Sequence, residues 1–276
     1  MTGEGHPARI EFTEEETDMA LSPDYRTYTG ATRAAEAAAV LDAGLRAYML
    51  RVYNWMASGL LLTGVVAFGI VNTSLINAFY PLVTTATGQM VRAPSLLAMI
   101  SIFAPLAFVL VMSAGVNRLS TSAVQGLYWA FCVAMGASMA NLFIIYTGTS
   151  IARVFFITAG TFAGMSIYGY TTRADLTRFG SFLIMGLFGL VLAMLVNLFM
   201  HSSGMAFAIS VIGVLVFTGL IAYDTQRIKT SYVQFAYAYG PEQAARRGVY
   251  DALGLYLNFI NLFQMLLMLM GNRNNS

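Results

Sequence analysis

The chain has 276 residues, of which 58% are hydrophobic and only 10% charged, against roughly a quarter charged in an ordinary soluble domain. Its 15 basic and 13 acidic residues are badly spread: half of them lie in the first 51 positions, which leaves charge-free runs such as Val52–Val91, Leu119–Ala152 and Phe179–Tyr223. A net charge of +2 without a basic face of interleaved aromatics excludes a nucleic-acid partner, and a single cysteine, Cys132, excludes an internal disulfide.

In chain order, residues 1–41 read as an acidic disordered or interfacial tail. Positions 1–30, including EFTEEETD at 11–18, are polar and aperiodic, and lack the apolar core of a secretory signal. Ala31–Arg51 is Ala-rich with Asp42 and Arg46 at i,i+4, a lead-in helix. Residues 42–276 then form the membrane domain. Seven apolar spans are predicted, at about 53–71, 95–116, 123–146, 153–170, 179–200, 205–228 and 251–271. Each suffices to cross a hydrocarbon core of about 30 Å, which takes roughly 20 helical residues. Backbone polar groups cannot be left unpaired in lipid, so such runs are helices. The alternation a β-barrel requires is absent. The expected fold is therefore an all-α membrane protein, a seven-helix bundle. Pro94 is expected to open the second span, and HSSG at 201–204 to turn the chain between the fifth and sixth.

Lysine and arginine near the span ends set the orientation. With the N-terminus inside, Arg46, Arg51, Arg118, Arg173, Arg178, Arg227, Lys229, Arg246 and Arg247 are internal, while Arg92, Arg153 and Arg273 are external. The expectation is a cytoplasmic N-terminus and a C-terminus on the far side. Small residues predict close helix contacts at Cys132, Gly136 and Ala140 on the third span, and at Gly160 and Gly164 on the fourth.

Candidate chemistry concentrates in GLIAYDTQRIK at 219–229. Asp224 follows an unbroken apolar helix and sits about 5 Å deeper than Arg227 at 1.5 Å per residue. On the seventh span Asn258 lies about 10 Å inward of Asp251, at a depth similar to Asp224. Asn261 and Gln264 continue a polar stripe beyond Asn258. Two readings stand side by side: Asp224 faces Asn258 as a functional polar pair, or it merely pairs with Arg227 at i,i+3. Other seven-span chemistries fail on inventory. A retinal protein needs a lysine in its last span, and the one lysine is Lys229, expected in a loop. A rhomboid-type protease needs an intramembrane histidine, and only His6 and His201 exist. A membrane aspartyl protease needs a second aspartate in contact with the YD at 223–224, and Asp251 lacks the GxGD context. Met265, Met268 and Met270 invite a soft-metal reading, with irregular packing as the commoner use.

AYDTQRIK at 222–229 resembles the signature of the Bax inhibitor-1 family, the transmembrane Bax inhibitor motif proteins. The likeness extends through DAGLRAYMLRVYNWMASGLL at 42–61, SIYGYTTRADLTRFGSFLIMGLFGLVLAMLVNLF at 166–199 and LYLNFINLF at 255–263. It implies a seven-helix bundle with a central last helix in a bacterial inner membrane, and a non-enzymatic, pH-sensitive path for cations. Ca²⁺ would be the transported ion and no cofactor is needed. The family's paired aspartates map onto Asp224, a candidate Ca²⁺ ligand, and onto Asn258, with Tyr223, Thr225, Gln226, Arg227 and Asp251 in support. Asparagine at 258 leaves one titrating group where the family has two, and predicts a single-step pH response. Beyond the lipid bilayer, the resemblance implies as an alternative a partner: a membrane-bound quality-control protease that the chain regulates.

Overall fold

The computed structural model describes residues 25–85, 88–116, 118–235 and 241–274. The tail expected over the first 24 positions lies outside them. The chain divides into two units, Met1–Gly44 and Leu45–Ser276. Among the described residues the first unit is the N-terminal part of one long helix, α1 (Tyr25–Asn72). That helix begins six residues before the predicted lead-in and joins it to the first span without a break.

The second unit contains α2 (Ile76–Phe79), a hairpin of β1 (Leu82–Thr84) and β2 (Met90–Arg92), α3 (Leu96–Ala114), α4 (Thr121–Ile145), α5 (Gly148–Thr171), α6 (Thr177–Met200), α7 (Ser203–Phe235) and α8 (Pro241–Met270). Among the described residues seven helices are long and apolar enough to cross a membrane, one for each predicted span. The sixth and seventh overrun their predicted inner ends. α7 continues to Phe235 and α8 starts at Pro241, so Lys229 lies on a helix and not in a loop. The antiparallel hairpin, with Leu82 opposite Arg92, was not foreseen.

Local chemistry fixes the helix ends. The side chains of Ser95, Ser120 and Thr147 each accept from a backbone N–H in the first turn of α3, α4 and α5, satisfying donors that have no intrahelical partner. Pro94 thus stands outside the helix, one residue before the cap. α6 ends where His201 takes a left-handed conformation at φ 49°, and the predicted 201–204 turn follows.

α8 is the central helix. Of its most apolar 18 residues 61% are buried, against 6% for α6, which lies at the periphery against α7. The predicted small-residue ladder on α4 packs against α1. A Cβ on Gly136 would meet the Thr63 carbonyl oxygen at 2.7 Å, and Cys132 and Ala140 are fully buried. Core hydrogen bonds join α1, α4 and α8: Thr63 Oγ1 donates to the Cys132 carbonyl at 3.0 Å and lies 2.6 Å from the Tyr256 hydroxyl. Tyr128 donates to the Trp55 carbonyl at 2.8 Å.

The expectation for Gly160 and Gly164 is overturned, since nothing lies within 4 Å of a Cβ on either. The buried face of α5 runs through Ser150, Val154, Thr158, Phe162, Ser166 and Gly169. Gly160 and Gly164 stand two residues off that line, which at about 100° per residue turns them outward. The close approach is made instead by Gly169, where a Cβ would collide with the backbone of Ala222 on α7.

Candidate functional site

α7 and α8 bring the predicted polar residues together near one end of the bundle. Asn258 Nδ2 donates to Asp224 Oδ2 at 2.6 Å. Arg227, one turn along α7, reaches Asp224 Oδ1 at 2.9 Å, the one ion pair among the described residues. Both contacts foreseen for Asp224 therefore form at once, one on each carboxylate oxygen. The Asp224 side chain is 13% exposed and that of Arg227 49%, so the pair has one partner in protein and the other half in solvent. A carboxylate this buried is tolerated because each oxygen has a hydrogen-bonding partner.

Arg227 also lies across the face of α8. Its Nη2 stands 4.0 Å from where a Cβ on Gly254 would be, between Asp251 and Asn258 in sequence. Asp251 is held from α1, the Tyr48 hydroxyl donating to its Oδ2 at 2.6 Å. The charges that bear on Asp251 are Arg247, Arg227 and Asp224. Asn258 does not titrate, and Asp251, expected in a supporting role, lies within electrostatic reach of Arg227. Beside these groups opens a cleft of about 480 Å³ lined by Arg227, Arg246, Arg247, Tyr250 and Asp251. Asp224 does not line it. Arg227 stands between.

The supporting residues act as fasteners. Gln226 accepts from Leu176 N and donates to the Ala174 carbonyl, both at 2.8 Å, tying the α5–α6 turn to α7. Within that turn Asp175 accepts from Thr177 N at 2.9 Å, and its carboxyl is held below the ordinary aspartate value by hydrogen bonds from Thr177. Lys229 donates to the Tyr170 carbonyl at 2.8 Å, supplying a cation at the C-terminus of α5. Tyr223 packs its ring on Gly180 of α6 and carries Arg227 at 5.9 Å from its centroid. Thr225 is fully buried and its hydroxyl has no hydrogen-bond partner. Asn261 and Gln264 make no hydrogen bond among the described residues, so the polar stripe acts only as far as Asn258.

Among the described residues no group of three His, Cys, Asp or Glu side chains could hold a metal ion. A cation at Asp224 would compete with Arg227 and Asn258, which already engage its two oxygens. Met265 is core packing, its thioether over Gly213, while Met268 and Met270 are exposed. Sequence reasoning missed Tyr48, Arg247 and Gly254. Tyr48 is 203 residues from its partner, and no local pattern signals that contact.

The family described as inhibitor of apoptosis-promoting Bax1 matches residues 45–275. The chain belongs to the Bax inhibitor family. Relatives include an uncharacterised protein of Caulobacter vibrioides, 42% identical over 89% of this chain and 96% of its own length. A protein of Rickettsia prowazekii is 43% identical over 85% of this chain and 93% of its own length. The inner membrane protein YbhL of Escherichia coli K12 is 41% identical over 84% and 94%. The Bax inhibitor match begins at Leu45 and so takes in the whole site from Tyr48 to Asn258.

Proposed function

We propose that this chain is a cation leak pathway of a bacterial inner membrane, shut in the arrangement described here and opened when Asp224 exchanges its protein partners for a cation. The observation that carries this is the double engagement of one buried carboxylate: Oδ1 by a half-exposed arginine and Oδ2 by the amide of the central helix. A carboxylate is a hard oxygen ligand suited to Ca²⁺, and the arginine is the group a cation from the cleft must displace. Protonation of Asp224 would weaken both contacts, which makes the pathway pH-sensitive through one titrating carboxyl, since Asn258 is neutral at every pH. No bond-making chemistry is assigned to the site.

The inner-membrane setting draws on the similarity to YbhL. A cytoplasmic N-terminus and periplasmic C-terminus draw on the arginine and lysine bias; reporter fusions after Ser276 and within the turn at Asp175 should report opposite faces. The leak itself is tested by Ca²⁺ flux in proteoliposomes. Asp224→Asn should reduce flux to the level of empty liposomes while leaving the protein folded. Equal flux from the two proteins overturns the assignment. A second reading, restraint of a membrane-bound protease, draws on α6, whose outer face exposes Phe182, Met185, Phe188 and Phe199. It predicts a chain inert in liposomes.

A further inference from the structure

A second concavity has none of Asp224, Arg227, Asp251 or Asn258 in its lining. It is a groove of about 1370 Å³ between α1 and α5, above the roughly 300–1,000 Å³ of sites for small soluble ligands. Its α5 wall runs from Gly148 to Thr171, about 35 Å at 1.5 Å per residue, which exceeds the hydrocarbon core of about 30 Å. Nearly all of the lining is apolar, and Gly64 and Ala163 keep it open.

The two ends differ. One is closed by Phe68, Phe143 and Gly148 and has no charged residue. The other carries Arg46, Tyr170 and Ser166, with Lys229 Nζ 5.0 Å from the Tyr170 ring centroid. Arg46 enters no ion pair among the described residues. Ser166 is 6% exposed and its hydroxyl has no hydrogen-bond partner. Thr158, Thr161 and Thr171 on the same helix instead each donate to the carbonyl four residues back. A buried hydroxyl left unpaired is costly, so Ser166 calls for an acceptor from outside the chain.

We propose that this end of the groove is a binding site for one glycerophospholipid, with the phosphate on Arg46 and an ester carbonyl accepting from Ser166. Ser166 lies four residues inward of Tyr170, about 6 Å deeper, the order of one glycerol unit below a phosphate. Arginine at headgroup level supplies the complementary charge, and the acyl chains lie along the aromatic and aliphatic wall. A partner transmembrane helix would use the same opening, but it would not present an anion at one end and a carbonyl one glycerol unit below it. The site is independent of the leak and stands or falls without it.

The test is equilibrium lipid binding to the full-length protein in mild detergent, followed by native mass spectrometry. Phosphatidylglycerol should bind at one per chain. Diacylglycerol with the same chains should bind about 10- to 100-fold more weakly for loss of a charge-assisted contact, and the diether analogue about 5-fold more weakly for loss of a neutral one. Arg46→Gln should erase the first difference and Ser166→Ala the second. Gly64→Phe should abolish binding with an unchanged melting temperature, because nothing lies within 4 Å of a Cβ there. Diacylglycerol binding as tightly as phosphatidylglycerol, or full binding by Gly64→Phe, overturns the proposal. So does a photoreactive side chain at position 64 that labels a protein segment and not lipid.

Discussion

Asn258→Leu is the most informative single change at the polar site, since it removes the donor to Asp224 while keeping a side chain of similar volume on α8. Asn258 is 7% exposed, and the Asp224 oxygen it serves belongs to a side chain only 13% exposed, so water does not freely replace the lost amide. A hydrogen bond to a charged group contributes about 1.5–3 kcal/mol. Arg227 still holds the other oxygen, which places the loss near the middle, about 2 kcal/mol. For a chain of this size each kcal/mol moves the melting temperature by about 2–4 °C, so a fall of roughly 4–8 °C is expected. If the same bond keeps α7 and α8 closed over the leak, about 2 kcal/mol shifts the closed-to-open ratio by roughly 30-fold. Thermal unfolding of the purified protein and Ca²⁺ flux in proteoliposomes read the two effects separately. The double variant with Asp224→Asn should be non-additive, because both changes act on one bond. Unchanged melting together with strict additivity would refute the Asp224–Asn258 contact. Lower melting without added flux would keep the bond but remove it from the gate.

Three further outcomes follow from packing and capping. Gly169→Val should destabilise by about 1–3 kcal/mol or more, as overpacking does, since any Cβ there meets the Ala222 backbone; Gly164→Ala, with open space around it, should be neutral or stabilising by up to about 1 kcal/mol from helix propensity, and differential melting of the two compares them. Gln226→Leu strips partners from Leu176 N and the Ala174 carbonyl, about 1–2 kcal/mol of local stability, visible as faster hydrogen exchange across 174–180 with little change elsewhere. Asp175 has a carboxyl depressed below its ordinary value of 3.8 by hydrogen bonds from Thr177. Its contribution to the start of α6 is therefore fully present above about pH 4 and lost as pH falls through the lower folded value. Asp175→Asn should remove that acid-side change in the protection of the Thr177 amide.

Much of the architecture is legible from residues alone. Seven apolar runs of bilayer length admit only helices, although α5 starts at Gly148, five residues before its predicted run. The α4 ladder is legible too, because Cys132, Gly136 and Ala140 recur on one face with bulk around them. The pairing of Asp224 with Asn258 was reachable by depth arithmetic, since both helices start from the same end at a fixed rise per residue. Rise per residue carries no azimuth, however. Gly160 and Gly164 form as good a small-residue pattern as the α4 ladder, yet they face outward, because an apolar helix in lipid has no polar face to fix its rotation and only its neighbours choose it. The same choice turned Gly169 onto Ala222. Long-range polar partners were equally out of reach: Tyr48 meets Asp251 across 203 residues, Lys229 caps α5 from α7, and Gln226 serves a turn 50 residues away. Sequence alone determined how many helices cross and how deep each polar group sits along its own axis. Only the packed bundle decided which faces meet, because that depends on the summed shape of all seven helices and not on any one of them.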